Sequence, residues 1–440
     1  MPVLATAMRH VRWWYHHLKV DRLLGFISDL RTAREVPRTR MRYAETLKHI
    51  RARARTGKIR VLFLSSDCSK WKVQSLYDRM KASEWFEPMV ALSIYGWHDD
   101  RAMAESRLEK SRAFFAIRGM PVEFAYDVRS RKAISLNVFT PDIVFYDQPW
   151  DILPEHDPVV VSSFALTGYV PYMTPNLSIV DADCAMGFHR TIFRHFILSE
   201  GWADLCRNVR GTRTAAGEIV SVGHPMLDVY DKIDASTDGD LVIYAPHWTF
   251  PHKDNPNFLN ISTFLWTGRA MLDYAQKHPE IKWAFKPHPV LKGMLVKSGV
   301  MTATEVDAYY AEWERIGESC YTGDYPNLFK RSRALVTDCA SFLTEYACTG
   351  KPIVRLISPQ AKLHPCELSE RLYSTYYQVR KIEELEPVLD DLLVKGNDPN
   401  REARLTAAKA MNLSGTDAAG NIIRHLEELI FGEGAGEKEA

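Results

Sequence analysis

The stretch 333–356 has the pattern of a strand, a turn, a short helix and a second strand. Polar side chains follow the first of these two predicted strands. The first strand leads to Thr337 and Asp338, and we expect the helix to begin near Ser341. Backbone N–H groups at the start of a helix, together with a hydroxyl group, bind phosphate. Glu345, one turn later, is placed to accept a hydrogen bond from a hydroxyl of the same ligand. The alternative is an ordinary helix that Asp338 or Ser341 caps.

Two other apolar stretches in the same half of the chain also end in polar side chains. The stretch 241–248 ends in Ala-Pro-His-Trp with His247, and the stretch 281–289 ends in Lys-Pro-His-Pro with Lys286 and His288. Because the carboxyl ends of parallel strands lie at one edge of a sheet, we expect all three stretches to contribute to one crevice. Cationic groups there would bind phosphate, whereas the alternative is that each histidine packs in a turn.

Together these segments resemble the CDP-glycerol glycerophosphotransferases, a family of teichoic-acid and capsule polymerases. The corresponding segments of that family read roughly Ala-Pro-Thr-Trp, Arg-Pro-His-Pro and Thr-Asp-Tyr-Ser-Ser followed by an acidic residue. The segment Gly-His-Pro-Met-Leu-Asp at 223–228 is similar to the Gly-x-Pro-x-x-Asp of the family, so the resemblance covers about residues 220–356 in order. It is much weaker over the N-terminal half of the chain.

The resemblance implies an enzyme that transfers glycerol phosphate, or a related polyol phosphate, from a CDP-linked donor to a cell-surface polymer or lipid-linked acceptor and releases CMP. His288 would be catalytic, either by donating a hydrogen bond to the donor phosphates or, as an imidazolium, by neutralising the leaving CMP. The donor-binding residues would be His247, Lys286, Thr337, Asp338, Ser341 and Glu345. The resemblance implies no metal and no cofactor, and the sequence contains no obvious carboxylate cluster that would hold a metal.

The resemblance does not identify the residue that deprotonates the acceptor, because the His-Gly-Thr segment of related polymerases is missing from this chain. The ionisable side chains that follow predicted strands in the N-terminal half are Asp67, Asp147, Asp151 and His156. We take Asp67, which comes directly after the first strand, as the predicted catalytic base. An Asp in that place also commonly caps a helix.

A second hypothesis keeps the fold and changes the reaction to sugar transfer from a nucleotide sugar, or to 2-epimerisation of a UDP-sugar. It is favoured by the missing His-Gly-Thr segment and by three departures from the family pattern. Thr249 stands where a basic residue is common, and Cys339 and Ala340 replace Tyr and Ser. A third hypothesis, a non-enzymatic module that binds membranes or nucleic acid, is favoured only by the basic N-terminus.

Alternating strand and helix patterns from residue 57 onwards predict an α/β fold with two doubly wound, Rossmann-type domains. We expect an acceptor domain over 57–230 and a nucleotide-donor domain over 236–431, joined by a polar linker. Two such domains facing a cleft form the GT-B architecture, which the family resemblance also implies. The predicted strands of the first domain are 59–65, 88–94, 141–146, 159–162 and 196–199. No G-x-G-x-x-G follows the first strand and no G-x-x-x-x-G-K-[ST] occurs, which argues against a nicotinamide-dependent dehydrogenase and a P-loop NTPase.

Residues 1–56 are predicted to form a basic helical extension, with two helical stretches divided near Pro37. Residues 1–60 hold 15 Lys and Arg against 4 Asp and Glu, although the net charge of the whole chain is only +1. Trp and Tyr beside Arg and Lys suit a helix that lies on an anionic membrane surface. The alternative is a helix that packs on the protein and keeps a solvated basic face. Because no nucleic-acid motif accompanies this extension, we expect no nucleic-acid partner.

The location of the protein is predicted from what its sequence lacks. No apolar run reaches the roughly 18 residues that a membrane span needs, and no secretory signal peptide is visible. The seven cysteines are scattered, without a C-x-x-C pair, which predicts a reducing compartment and no zinc site. We therefore expect a cytoplasmic protein that associates peripherally with the inner face of the cell membrane through its N-terminal extension.

Overall fold

The structure of the protein is a computed structural model. It describes residues 21–94, 101–171, 187–210, 215–230, 239–252, 259–321, 325–362, 365–413 and 416–432. Within these residues the chain forms two parallel sheets, and apolar side chains cover both faces of each sheet. The predicted α/β class with two Rossmann-type domains is therefore confirmed.

Seven strands form the first sheet in the described part of the chain, and each hydrogen-bonded pair is parallel. They are β1 (Ile59–Ser65), β2 (Phe86–Leu92), β3 (Val122–Phe124), β4 (Ile143–Tyr146), β5 (Leu166–Tyr169), β6 (Arg194–Ile197) and β7 (Glu218–Ser221). Their order across the sheet is β3-β2-β1-β4-β5-β6-β7. The interior strand β1 is almost entirely apolar, as is usual for strands of parallel sheets that are buried on both faces.

Six strands form the second sheet, counted over the same described residues, and they too pair in parallel. They are β8 (Leu241–Ala245), β9 (Lys282–Phe285), β10 (Glu318–Ser319), β11 (Ser332–Thr337), β12 (Ile353–Leu356) and β13 (Tyr377–Val379). Their order is β10-β9-β8-β11-β12-β13. The three strands that the sequence analysis singled out are thus immediate neighbours at the centre of the sheet.

Helices connect successive strands on both sides of the two sheets. In the described residues the α-helices are α1 (Asp21–Arg53), α2 (Gln74–Ala82), α3 (Arg101–Ile117), α4 (Pro158–Val161), α5 (Gly187–Thr191), α6 (Glu200–Arg210), α7 (Phe264–Lys277), α8 (Leu291–Lys297), α9 (Ala303–Ile316), α10 (Pro326–Arg331), α11 (Ala340–Glu345), α12 (Glu367–Tyr373), α13 (Leu385–Leu389), α14 (Arg401–Ala410) and α15 (Ala418–Phe431). Single 3-10 turns include Cys68–Lys70 after β1 and Pro225–Tyr230 between the two domains. These two turns border the cleft described below.

One predicted strand of the first domain is a helix in the structure. The valine-rich segment 159–162 falls on α4, whose first residue is Pro158 and whose N-cap is Asp157. The carboxylate of Asp157 accepts a hydrogen bond from the Val159 N–H at 2.8 Å, and proline fits the first turn of a helix. These start signals outweigh the β propensity of three consecutive valines, and the strand forms further along, at β5.

The N-terminal helix α1 is continuous through Pro37 rather than divided there. Its buried positions recur along one side of the helix and include Val36, Tyr43 and Ile50, which join the core of the first domain. The Tyr43 hydroxyl donates a hydrogen bond to the carbonyl of Thr191 at 2.8 Å. Packing on both sides of Pro37 holds the helix together despite the missing N–H donor. In the described part of this extension the helix therefore packs on the protein, with its arginines on the outer face.

The last helix, α15, packs on the first domain, although the sequence analysis placed it in the second. Its residues Ile422 and Leu426 lie in the same apolar core as β1 and α1. Asp228, in the turn between the domains, accepts hydrogen bonds from the N–H groups of Ala418 and Ala419 at 2.9 and 3.0 Å. A carboxylate at a helix N-terminus is favourable because it binds free N–H groups. Asp228 thus anchors the returning chain at the junction of the two domains.

No helix within the described residues is long and apolar enough to cross a lipid bilayer. In the described part of the chain, Cys68, Cys320, Cys339, Cys348 and Cys366 are not in disulfide bonds, whereas Cys206 is.

Candidate functional site

The carboxyl ends of β8, β9 and β11 meet at one edge of the second sheet. In the register of these strands Tyr244 lies opposite both Phe285 and Val336. The three strands therefore end at similar heights in the sheet, and the residues that follow them begin at the same edge. The imidazole rings of His247 and His288 lie 4.8 Å apart between centroids, in an edge-to-face arrangement. The three segments therefore come together as the sequence analysis expected.

Asp338 joins two of these segments through its carboxylate. One carboxylate oxygen accepts a hydrogen bond from the His247 N–H at 2.6 Å. The other accepts hydrogen bonds from the N–H and the hydroxyl of Thr263, at 2.6 and 2.9 Å. Asp338 is 4 % exposed, and burial raises its pKa. Both oxygens are thus engaged by the protein itself, so a contribution of Asp338 to donor binding is through positioning the segments after β8 and before α7.

His247 and His288 are neutral imidazoles in this structure. Burial lowers the pKa of both rings, and the neighbouring Lys286 ammonium adds to the effect at His288, whose pKa falls to about 4. The Nδ1 atom of His288 accepts a hydrogen bond from the Val290 N–H at 3.2 Å, so the proton of the neutral ring lies on Nε2. His288 is therefore a hydrogen-bond donor at neutral pH. The predicted imidazolium form would exist only in acid.

Lys286 is a nearly buried cation, 4 % exposed. Its ammonium lies over the aromatic rings of Tyr325 and Phe342, at 5.7 and 5.8 Å from their centroids. No carboxylate of the described residues comes within 4 Å of it, and burial lowers its pKa. A buried ammonium without a carboxylate partner is electrostatically costly unless an anion is brought to it.

Glu345 points into the same region from α11. It is 2 % exposed and accepts hydrogen bonds from the Tyr325 hydroxyl at 2.7 Å and from the Tyr230 hydroxyl at 3.3 Å. Burial raises its pKa, and the Lys72 and Lys286 ammonium groups oppose that shift. In this conformation Glu345 already binds two hydroxyl groups, both of them from the protein.

Thr337 is the last residue of β11, and Ser341 lies in the first turn of the short helix α11, which Cys339 precedes as N-cap. The Thr337 hydroxyl donates a hydrogen bond to the Ala245 carbonyl at 2.6 Å and accepts one from the Cys339 N–H at 2.9 Å. Ser341 is partly exposed, and its hydroxyl lies 3.3 Å from the Cys339 thiol. Ser341 is thus available to a ligand, whereas the Thr337 side chain holds two strand ends together.

The first domain presents its own ionisable groups at the ends of β1 and β4. Asp67 accepts a hydrogen bond from the Ser69 N–H at 2.9 Å and lies 3.7 Å from Arg107, so the structure places it as the cap of a 3-10 turn. Asp147 accepts a hydrogen bond from the Ser66 N–H at 2.7 Å, and burial raises its pKa to about 6. Asp147 is therefore the better placed of the two for proton transfer near neutral pH.

A small cavity adjoins Asp147, with a volume of about 10 Å³, room for about one water molecule. Ser93 and His156 line it from the neighbouring segments. The His156 ring lies between the Ser93 hydroxyl, at 3.2 Å, and the Ile134 carbonyl, at 2.9 Å. Those contacts fix the ring inside the domain, so His156 shapes the cavity rather than meeting a substrate. Asp151 follows β4 with a positive φ of 52°.

Lys72 connects the two sets of residues across the cleft. It belongs to the first domain, yet its ammonium donates a hydrogen bond to the hydroxyl of Tyr325 in the second, at 3.3 Å. Neither residue is indicated by the sequence, because no motif contains it and the contact joins distant parts of the chain. The one available signal was a second lysine, after Lys70, in the loop that follows β1.

Within the described residues no group of three or more His, Cys, Asp and Glu side chains is arranged to hold a metal ion. The metal-independent chemistry that the sequence predicts stays a prediction.

No family model and no curated protein sequence matches the chain. Solved structures with the same fold include the S. aureus MnaA–UDP co-structure, with 12% sequence identity, a TM-score of 0.53, and coverage of 85% of this chain and 97% of that one. The putative UDP-N-acetylglucosamine 2-epimerase from Listeria monocytogenes has 14% identity and a TM-score of 0.53, covering 84% and 96%. UDP-GlcNAc 2-epimerase from Neisseria meningitidis, bound to UDP-GlcNAc, has 11% identity and a TM-score of 0.54, covering 84% and 100%.

These comparisons support the GT-B fold and overturn the family assignment. Two of these three proteins are named UDP-GlcNAc 2-epimerases, and two of the three structures hold UDP or UDP-GlcNAc. The predicted CDP-glycerol glycerophosphotransferase, with its CDP-linked polyol donor and its polymer or lipid-linked acceptor, is therefore wrong. The physical reason is that the types of residue in these motifs, Lys, His and Ser at strand ends, suit any diphosphate, which nucleotide donors of many kinds share.

Proposed function

We propose that the protein binds a UDP-sugar between its two domains and inverts the sugar at C2, the reaction that gives the 2-epimerases of the same fold their name. The observation that carries this proposal is the convergence of Lys286, His288 and Ser341 at adjacent strand ends of the second sheet. A lysine, a neutral histidine and a serine form a suitable set for a diphosphate. Ligands of open α/β sheets bind in this place.

The second domain would hold the diphosphate through complementary groups. Lys286 would supply positive charge, His288 would donate a hydrogen bond from Nε2, and the Ser341 hydroxyl would bind a phosphate oxygen. Loss of the C2 proton with cleavage of the C1–O bond leaves a C1–C2 double bond in the sugar and puts negative charge on the phosphate oxygens. The diphosphate adds back to C1 when a proton returns to C2. Donors that are fixed in place before the reaction stabilise that charge most effectively.

The first domain would handle protons through Asp147. Inversion at C2 requires the C2–H bond to break and a proton to return on the other face of the sugar. A carboxylate with a pKa of about 6 is poised to accept the C2 proton near neutral pH, and a second group on the other face of the sugar would return one. The predicted base Asp67 differs in that it caps a 3-10 turn and forms an ion pair with Arg107.

Glycosyl transfer is the second candidate, and Asp147 also favours it. Transfer to an acceptor hydroxyl needs one base, whereas inversion at a carbon needs a proton to leave and another to arrive on the opposite face. Asp147 alone satisfies the first requirement. Both candidates use the same UDP-sugar site and separate the sugar from the diphosphate.

The two reactions are distinguished by incubating the protein with UDP-GlcNAc in D2O, with and without acceptor sugars, and following the products by NMR. Epimerisation would produce the C2 epimer with deuterium at C2 and would need no acceptor. Transfer would release UDP only when an acceptor is present and would leave C2–H intact. Complete recovery of unchanged UDP-GlcNAc under all conditions would contradict both.

Peripheral association with an anionic membrane is a further part of the proposal. The outer face of α1 carries exposed Arg34, Arg38 and Lys48, and Met41 beside them is 74% exposed. Lysine and arginine on such a face are attracted to anionic lipid headgroups. The apolar face of the same helix packs on the first domain, so the contact would be electrostatic.

A further inference from the structure

Tyr325 lies at the meeting point of the residues proposed to bind the donor. Its side chain is nearly buried, and the ring packs on Phe342 with centroids 4.9 Å apart. The ammonium groups of Lys72 and Lys286 lie 5.4 and 5.7 Å from the centroid of the same ring. Two lysines from different domains thus converge on one aromatic side chain.

The hydroxyl of Tyr325 is part of a hydrogen-bond chain across the cleft. It accepts a hydrogen bond from Lys72 at 3.3 Å and donates one to the Glu345 carboxylate at 2.7 Å. The Tyr230 hydroxyl, at 3.3 Å, donates to the second oxygen of Glu345. We call Lys72, Tyr325, Glu345 and Lys286 the Tyr325 cluster.

The charges of the Tyr325 cluster do not balance. It contains two ammonium groups and one carboxylate, and neither lysine has a carboxylate within 4 Å among the described residues. Lys286 is 4% exposed, so water does not solvate its charge fully. A cluster with excess positive charge in a poorly solvated place attracts an anion.

We propose that Tyr325 is a built-in plug of the diphosphate site, which an incoming diphosphate displaces so that it contacts Lys72 and Lys286 together. This inference rests on the proposed function and extends it to a residue of the first domain, Lys72. Displacement of Tyr325 also frees one oxygen of Glu345, which then accepts a hydrogen bond from a hydroxyl of the ligand. The plug therefore lowers affinity for any diphosphate, and a ligand with a ribose recovers part of that loss.

A plug differs from a merely structural tyrosine in what its removal does to binding. Tyr325→Phe removes both hydrogen bonds of the hydroxyl, and Tyr325→Leu also removes the ring. Hydrogen bonds to charged groups, such as those to Lys72 and Glu345, are stronger than those between neutral groups. Because the ligand no longer has to break these contacts, we expect both variants to bind UDP and inorganic pyrophosphate about tenfold more tightly than wild type.

Lys72→Met separates the two roles of Lys72. It cuts the same hydrogen-bond chain as Tyr325→Phe, but it also removes a proposed ligand of the diphosphate. We expect it to bind UDP and pyrophosphate at least tenfold more weakly, the opposite of the tyrosine variants. The matched control is Tyr321→Phe, which removes a hydrogen bond between a partly exposed tyrosine and Glu314 and should leave both affinities unchanged.

Isothermal titration calorimetry of the full chain with UDP and with inorganic pyrophosphate makes this test, and thermal unfolding of each variant checks that it is folded. Unchanged affinities in both Tyr325 variants would overturn the plug while leaving the proposed function intact, provided that wild type binds UDP. Tighter pyrophosphate binding in these variants without any UDP binding would support the plug and contradict the proposed function. If Lys72→Met binds as tightly as Tyr325→Phe, Lys72 is only a strut between the domains and its assignment as a ligand is wrong.

Discussion

The rings of His247 and His288 lie edge to face, 4.8 Å apart, although they follow two different strands of the second sheet. The backbone holds them there, because the His288 N–H donates a hydrogen bond to the Pro246 carbonyl at 3.0 Å. The geometry leaves the Nε2–H of His288 as a neutral donor beside Lys286. A histidine in this setting is suited to bind a phosphate oxygen rather than to carry a charge.

Replacing His288 by alanine should lower kcat about 100-fold in whichever UDP-sugar reaction is observed. The reason is that a fixed hydrogen-bond donor to developing phosphate charge is lost. Steady-state kinetics measure the effect, and His49→Ala, on the exposed face of α1, is the control that should keep full activity. Equal kcat values for the two variants would rule out a catalytic part for His288.

The rate should follow the ionisation of Asp147. Burial raises its pKa to about 6, so the carboxyl is protonated below that pH and ionised above it. If Asp147 is the base, kcat/KM should rise about tenfold per pH unit below 6 and level off above it. Asp147→Asn should abolish turnover, whereas an unaltered pH profile in that variant would exclude Asp147 as the base.

The same residue makes a prediction about stability. Because the pKa of Asp147 in the folded protein lies above its ordinary value of 3.8, its contribution to the free energy of unfolding is present below pH 3.8 and is lost as the pH rises through about 6. The loss amounts to about 1–3 kcal/mol. Urea unfolding between pH 4 and 7 should show this decline in wild type and a smaller one in Asp147→Asn. Identical declines would mean that Asp147 is not desolvated.

Asp338→Ala should lower the free energy of unfolding by about 3–5 kcal/mol, because two buried N–H groups and one hydroxyl lose their acceptor. Urea denaturation measures the change. Asp273→Ala, which removes a surface ion pair with Arg269, should alter it by no more than about 0.5 kcal/mol. Similar values for the two variants would show that Asp338 does not brace the strand ends.

Charge reversal on the outer face of α1 should reduce binding to anionic vesicles. The variant Arg34→Glu, Arg38→Glu, Lys48→Glu keeps the buried face of the helix intact. At low salt, most of the wild-type protein should pellet with vesicles that contain phosphatidylserine, whereas most of the variant should stay in the supernatant. Equal pelleting of both proteins, or equal retention on neutral vesicles, would contradict a membrane contact through this face.

Much of the fold could be predicted because local apolar runs mark buried parallel strands. The strand β1 was predicted at its observed bounds, and the polar side chains at the ends of β8, β9 and β11 indicated that these strands end at one edge of a sheet. The helix α4 was predicted wrongly, since Asp157 and Pro158 start a helix that three valines disfavour. Pro37 did not end α1, because tertiary packing holds the helix on both sides of it.

The site could be predicted only in part, for a physical reason. Lys286, His288 and Ser341 follow predicted strands closely, so the sequence itself indicates that they lie at the edge of the sheet. Lys72 and Tyr325 meet only when the two domains face each other, and nothing near either residue in the sequence indicates the contact. The motifs also indicate a diphosphate, but they do not indicate the nucleobase of the donor or the group attached to the diphosphate. This is why the family resemblance led to the wrong donor.

The most direct test of the proposed site is calorimetric titration of wild type, Lys286→Met and Lys292→Met with UDP. Lys286 is nearly buried at the strand ends, whereas Lys292 forms a surface pair with Asp307. We predict that wild type and Lys292→Met bind UDP equally and that Lys286→Met binds it at least tenfold more weakly. Equal binding by all three proteins, no binding of UDP by wild type, or tighter binding of CDP-glycerol than of UDP would contradict a UDP-sugar site at the ends of β8, β9 and β11.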